Sequence, residues 1–144
     1  MADIILRTGD FIEVTIPPPA IVTQLEAPVP LVGSSTNVIV LGMPVCLQGD
    51  ELPPVLRVPL VYTAPPFVTP GMGTLTVTLL PANLTIKTSN GGKPLLLKGQ
   101  TFPAMFSADD PAMQPTPAGP VPDPLVEKEG TARFISSNET VKAG

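Results

Sequence analysis

The chain has 144 residues, 43% of them hydrophobic, with 8 basic and 12 acidic side chains and a net charge of −4. That length fits one domain able to bury about two-thirds of its unfolded surface, and an acidic chain with no basic stripe excludes a nucleic-acid partner held through phosphates. With 21 prolines and 12 glycines, long helices are nearly excluded and strands must be short, because proline fixes φ and removes an amide donor.

In chain order, Met1 to Arg7 carries an acid at Asp3 and no long apolar run, so no signal peptide is expected. Ile4 to Leu6 and Phe11 to Ile16 read as strands around a Gly9–Asp10 turn. Pro17 to Pro19 stops any pairing. Ile21 to Leu25 and Val29 to Val32 read as further strands or extended edge segments. Val55 to Tyr62 is an apolar run whose Pro59 predicts an edge position. Ala64-Pro65-Pro66 and Pro70-Gly71-Met72-Gly73 read as turns. Thr74 to Leu79 alternates threonine with leucine or valine, the pattern of a half-exposed strand. Leu84 to Thr88 repeats it, and Asn90-Gly91 offers a hairpin turn. Asp110-Pro111 has the form of a cap on one helical turn. Residues 1–110 are thus expected to form the folded domain and 111–124 a proline-rich, semi-rigid spacer. Residues 125–144 are expected to form a tail, docked as a strand through Ala132 to Ile135 or mobile.

One pattern occurs twice. Gly42-Met-Pro44-Val-Cys-Leu-Gln-Gly49-Asp50-Glu-Leu-Pro53 aligns without a gap on Gly92-Lys-Pro94-Leu-Leu-Leu-Lys-Gly99-Gln-Thr-Phe-Pro103. The glycines and prolines match while other positions drift, as expected when backbone geometry is what repeats. Arg7-Thr8-Gly9-Asp10 echoes the Gly-Asp ending alone. The second copy is read with four extra residues between its strand and its turn. Gly42→Val or Gly92→Val is therefore expected to disturb folding more than a change at Asp50.

Asn37-Val38-Ile39-Val40-Leu41-Gly42-Met43-Pro44, followed by Gly49-Asp50, resembles the motif of PAAR-repeat proteins, over roughly residues 31–106. The resemblance implies an all-β fold of short strands wound into a compact conical tip, with proline-rich loops and little helix. It also implies a role in a contractile injection machine (type VI secretion, phage tail or extracellular injection particle). The partners implied are a trimeric spike hub, capped by one tip per trimer, a target membrane touched transiently, and a possible cargo effector. Gly42, Pro44, Gly49, Asp50, Gly92, Pro94 and Gly99 are then structural turn residues. Three such units on one chain would imitate a homotrimer's symmetry. Synthesis in a bacterial cytoplasm and assembly at the tip of a particle, inside or outside the cell, would follow.

Catalytic chemistry finds little support. There is no histidine, so Ser-His-Asp, Cys-His and histidine-metal sites cannot be built. The family's apex zinc, held by three histidines and a cysteine, is excluded with them, and no cofactor is expected. Proline is expected to stand in for that metal, each well-placed one restricting the unfolded chain by about 0.4–1 kcal/mol. Cys46 in its apolar run reads as a buried thiol, with Arg7 and Arg57 the candidate neighbours for activating it. Asp50–Glu51 and Asp109–Asp110 read as turn carboxylates rather than acid–base pairs. Asn83-Leu84-Thr85 and Asn138-Glu139-Thr140 are short enough to be accidental sequons. A non-enzymatic spike tip is the leading expectation. The alternative is a β-rich receptor- or carbohydrate-binding module, disfavoured by one tyrosine and no tryptophan.

Overall fold

The computed structural model describes residues 3–136, 138 and 140–143. The fold is all-β, and helix among the described residues is confined to single 3-10 turns at Thr23–Leu25, Pro54–Leu56 and Pro81–Asn83. Two of these start on proline, where its fixed φ suits the first turn.

A curled sheet forms the body. Its antiparallel strands lie side by side in the order Ile21–Val22, Leu60–Ala64, Phe67–Val77, Phe102–Asp110, Glu127–Ile135, Phe11–Thr15 and Val29–Pro30. Alternate side chains point inward, so Ile12, Val14, Leu60, Tyr62, Leu75, Ala104, Phe106, Ala132 and Phe134 make the core. Thr74 and Thr76 face out, as their alternation with Leu75 predicts. The Tyr62 and Phe106 rings meet edge to face at 5.2 Å, and Phe102 tilts against Phe134 at 4.8 Å.

Several local expectations are corrected. Pro70 to Gly73 is not a turn but lies inside the Phe67–Val77 strand. A Cβ on Gly71 would sit 2.3 Å from the Asp110 carbonyl oxygen, and one on Gly73 2.6 Å from the Phe106 ring. These glycines admit a crossing neighbour rather than a bend. Leu60–Ala64 is paired on both sides, so Pro59 precedes an interior strand and not an edge. Asp109 and Asp110 end a strand instead of capping a helical turn.

Beyond residue 110 the chain stays on the body. Met113 pairs with Thr69, and Met113–Gln114 pairs with Val121–Pro122. Glu127–Ile135 lies in the middle of the sheet, between Phe102–Asp110 and Phe11–Thr15. A buried polar cluster fastens the proline-rich strap. The Tyr62 hydroxyl accepts from the Ala112 amide at 3.0 Å and donates to Asp123 at 3.1 Å. Lys128 Nζ pairs with Asp123 Oδ2 at 2.8 Å, donates to the Leu125 carbonyl at 2.7 Å and lies 5.4 Å from the Tyr62 ring centre. Both charged side chains are 4% exposed.

Burial alone would raise the Asp123 carboxyl, but the Lys128 hydrogen bond, the Leu125 amide, the Lys128 charge and the Tyr62 hydroxyl together hold it below its ordinary value. A depressed carboxyl stabilises the fold above its unfolded value near 3.8 and loses that contribution as pH falls toward its folded value. Asp123→Ala, which strands a buried ammonium, should cost about 3–5 kcal/mol in denaturant melts. Asp123→Asn should flatten the loss of stability below pH 3.8. An unchanged acid limb in the Asn variant would show that this carboxyl is not the titrating group.

Candidate functional site

At one end of the body the chain passes three times through the same conformation. Residues 4–10, 44–50 and 94–100 occupy equivalent places. Three antiparallel backbone pairs join them head to tail: Arg7 with Val45, Leu47 with Leu95, and Leu97 with Ile5. The hydrogen bonds are cyclic. Leu6 N–H donates to the Leu96 carbonyl at 3.0 Å, Leu96 to Cys46 at 2.9 Å, and Cys46 to Leu6 at 2.9 Å. A second cycle runs Thr8 to Pro44, Gln48 to Pro94 and Lys98 to Ile4, each at 2.9 Å. The result is a closed ring with pseudo-threefold symmetry.

Side-chain alternation splits the ring into two faces. Leu6, Cys46 and Leu96, each 0% exposed, point into the body core. Ile5, Val45, Leu95, Leu47 and Leu97 point the other way, into a separate small cluster with Val40 and the partly buried Val38, Val141 and Ala143. Arg7 holds the place matching Leu47 and Leu97, and its guanidinium donates to the Leu41 carbonyl at 2.9 Å and to that of Val40 at 3.4 Å.

Each ring strand is entered through an antiparallel arm. Ile39–Val40 pairs with Met43–Pro44 across Leu41–Gly42, and Ser89–Asn90 pairs with Lys93–Pro94 across Gly91–Gly92. The turns need positive φ, +50 and +87 in the first and +61 and +81 in the second, so glycine is favoured there. The hairpin residues are Gly91–Gly92 rather than Asn90–Gly91, and the two copies superpose with no extra residues before the turn. Strand Leu84–Asn90 runs straight into it. Gly42, Pro44, Gly92 and Pro94 therefore sit at matching corners.

The third arm comes from the far end of the chain. Lys142–Ala143 pairs with Asp3–Ile4 in the register that Ile39–Val40 keeps with Met43–Pro44. Ile5 N–H donates to the Val141 carbonyl at 3.2 Å, as Val45 does to Val38 at 3.2 Å. Ser35, Thr85 and Asn138 are the matching buried polar residues, 6%, 5% and 1% exposed. Ser35 Oγ accepts from Val38 N–H at 3.0 Å, and Asn138 Oδ1 accepts from Val141 N–H at 2.9 Å. Thr85 Oγ1 instead accepts from Leu95 N–H at 2.9 Å and donates to the Thr88 carbonyl. From the sequence only the Gly9–Asp10 end of this unit is legible, and the Lys142–Ala143 arm is not. The arm's one trace is Asn138-x-Thr140-Val141 matching Ser35-x-Asn37-Val38, a polar similarity without identity except at the valine.

The exits from the ring repeat as well. Gly9, Gly49 and Gly99 have φ of +94°, +109° and +52°. Asp10 Oδ2 accepts from Arg7 N–H at 3.0 Å and from Ser136 Oγ at 2.9 Å. Asp50 Oδ2 accepts from Leu47 N–H at 2.8 Å, Ser34 N–H at 2.9 Å and Ser34 Oγ at 2.7 Å. Gln100 replaces this acid in the third exit, and Asn83 takes over. Its carbonyl accepts from Leu97 N–H at 2.7 Å, and its side-chain amide donates to Lys98 and Gln100 at 3.2 and 3.1 Å.

Neither carboxylate pair is arranged as an acid–base couple. Glu51 accepts from Gly49 N–H at 3.0 Å, and Asp109 from Thr74 Oγ1 at 2.7 Å. The Cys46 thiol is pushed up to about 12, first by burial and then by the Asp50 and Asp10 charges, the reverse of what a nucleophile needs. Arg57 donates to the Leu52 and Gly49 carbonyls, both at 2.7 Å. Among the described residues no group of three or more Cys, Asp or Glu is placed to hold a metal ion.

A model of the family described as contractile injection system spike tip protein matches residues 1–144. No curated protein matches the chain.

The hydrogen bonds to Asp50 narrow the expected ranking of substitutions. Gly42→Val places a β-branched residue at φ +87°, and Asp50→Ala strands the amides it binds. Each should cost about 2–3 kcal/mol, against about 1–2 for Gly42→Ala. Chemical denaturation of the three variants gives the order, and an Asp50→Ala protein as stable as wild type would remove the exit turn from the structure's supports.

Proposed function

Because the chain belongs to the contractile injection system spike tip family, we propose that it caps a trimeric spike hub, one chain per trimer, through the face of the ring that carries the hairpins. The observation behind this is the cyclic hydrogen bonding of 4–8, 44–48 and 94–98. A threefold partner fits equivalent surfaces on all three of its chains, and the ring is the only part of the described fold that repeats three times. The body continues from its opposite side through Phe11–Thr15, Leu60–Ala64 and Phe102–Asp110, which break the symmetry.

Leu41 supports this choice of face. Its φ is +50°, where the matching residue of the second hairpin is Gly91, and its side chain is 57% exposed. A leucine in that region costs about 1–2 kcal/mol and here adds nothing to the core. Ile39, 63% exposed, and Met43, 37% exposed, flank it. The apolar surface is offered to a partner.

In this reading the role is mechanical and non-enzymatic. Gly42, Pro44, Gly49, Asp50, Gly92, Pro94 and Gly99 shape the ring, and the body leads into the target membrane and pierces it. No helix among the described residues is long and apolar enough to cross a bilayer. A cargo effector would attach to the body, which hub docking leaves open. A carbohydrate-binding role has less support, since the one tyrosine is 1% exposed and there is no tryptophan to form an aromatic platform.

Native mass spectrometry of the tip with its hub should give one chain per trimer. Leu41→Gly should raise thermal stability, by about 1 kcal/mol, while weakening hub binding. Ile39→Glu should leave stability nearly unchanged and weaken binding roughly tenfold or more. Three tips per trimer, or full hub affinity in both variants, would sink the proposal.

A further inference from the structure

The curled sheet does not close into a barrel. Ile21–Val22, at one end, pairs only with Tyr62–Thr63. Near the other end, Glu13, Val14 and Thr15 pair with Thr131 to Arg133 on one side. On their second side the neighbouring strand reaches only Phe11 and Ile12, through Pro30 and Val29. Thr15 turns its carbonyl toward Gly130, where a Cβ would stand 2.2 Å from it. Backbone groups alternate along a strand, so Val14 turns its amide and carbonyl toward the open side.

Between this edge and residues 20–28 lies a groove of about 370 Å³. Val14, Val22 and Leu25 line it and are buried; Ile21 borders it, 45% exposed. Glu13 and Glu26 stand on its rim. Glu13 faces Arg133 at 3.0 Å, and among the described residues no ion pair involves Glu26.

We propose that this seam binds an extended segment of another protein by strand addition, antiparallel to Phe11–Thr15 and in line with Val29–Pro30. An open strand edge is a template for another strand, and main-chain hydrogen bonds supply affinity while alternate side chains supply specificity. The pleat fixes the chemistry of the guest. Its inward residues meet Val14, Val22 and Leu25 and are therefore aliphatic; its outward residues face Glu13 and Glu26 and are lysine or arginine. The partner is thus a flexible segment with aliphatic and basic residues in alternation. The ring and its hairpins take no part, so the seam operates whether or not the ring docks on a hub.

The test uses the full-length protein and a fluorescent peptide of about nine residues alternating valine and lysine, read by anisotropy near physiological salt. Saturable binding in the micromolar range is expected, weakened roughly tenfold by Glu26→Lys. The same peptide with its edge-facing amides N-methylated should lose binding to a similar degree, which a purely electrostatic association would not show. Hydrogen exchange at Val14 should slow in the complex. No saturable binding, equal affinity for the N-methylated peptide, or unchanged affinity in Glu26→Lys would each overturn the proposal. So would a doubled mass on sedimentation of the protein alone that blocks the peptide, which would make a second copy the occupant.

Discussion

Three amide-to-carbonyl hydrogen bonds run Leu6 to Leu96, Leu96 to Cys46 and Cys46 to Leu6, and they close a cycle that no one segment can complete. Within this cycle each ring strand donates to one neighbour and accepts from the other, and the second cycle runs in the opposite sense, so removing any strand leaves buried backbone groups unpaired on both that remain. An unpaired buried group costs about 1–3 kcal/mol. That constraint explains why such different side chains are tolerated at matching places. Position 46 is cysteine where 6 and 96 are leucine; position 7 is arginine where 47 and 97 are leucine. What has to match is the path of the backbone, and the glycines at 9, 49 and 99 mark where that path bends.

The same problem is solved three ways at the exits. A carboxylate pins the turn at Asp10 and Asp50 by accepting the amide three residues before it. In the third exit that acceptor is the backbone carbonyl of Asn83, which arrives from a different part of the chain. The geometry is conserved within the molecule while the atoms supplying it change. A single chain can do this because its three units need not share a sequence, and the spare freedom is spent on joining each unit to a different strand of the body.

This division also explains what could be read in advance. The alternation of Thr74 to Leu79 gave a strand, the glycine–proline corners at 42–44 and 92–94 gave two units, and the proline count ruled out a helical body. Each of those signals is local. The third unit shows only its Gly9–Asp10 end in the sequence, because its two arms, Asp3–Ile4 and Lys142–Ala143, are more than a hundred residues apart and no periodicity spans that distance. The structural roles of Asn83 and Asn138 are hidden for the same reason: their partners, Leu97 and Ile5, are remote in sequence. Gly71 and Gly73 read as a turn because close approach of a neighbouring strand leaves no mark in the residues beside them. The proline-rich stretch suggested a spacer, yet the Tyr62–Asp123–Lys128 cluster that fastens it is dispersed over distant positions.

Two of the ring's entry arms are tight hairpins, so their strands stay neighbours even when a hydrogen bond breaks. The third has no such tether. Asp3–Ile4 and Lys142–Ala143 are held by pairing, by the side chain of Asn138 on the Ile5 carbonyl at 3.1 Å, and by Val141 and Ala143 in the small apolar cluster. No short loop favours reclosure of that joint once it opens, so it is where local opening of the ring would begin. The joint lies on the hairpin face, with the same register as the arms that carry Leu41 and Gly91. A threefold partner seated on that face would press on all three arms equally and gain most at the untethered one. In the proposed complex the symmetry of the ring would then serve stability as well as fit, because a docked partner would close the one corner left without a short turn.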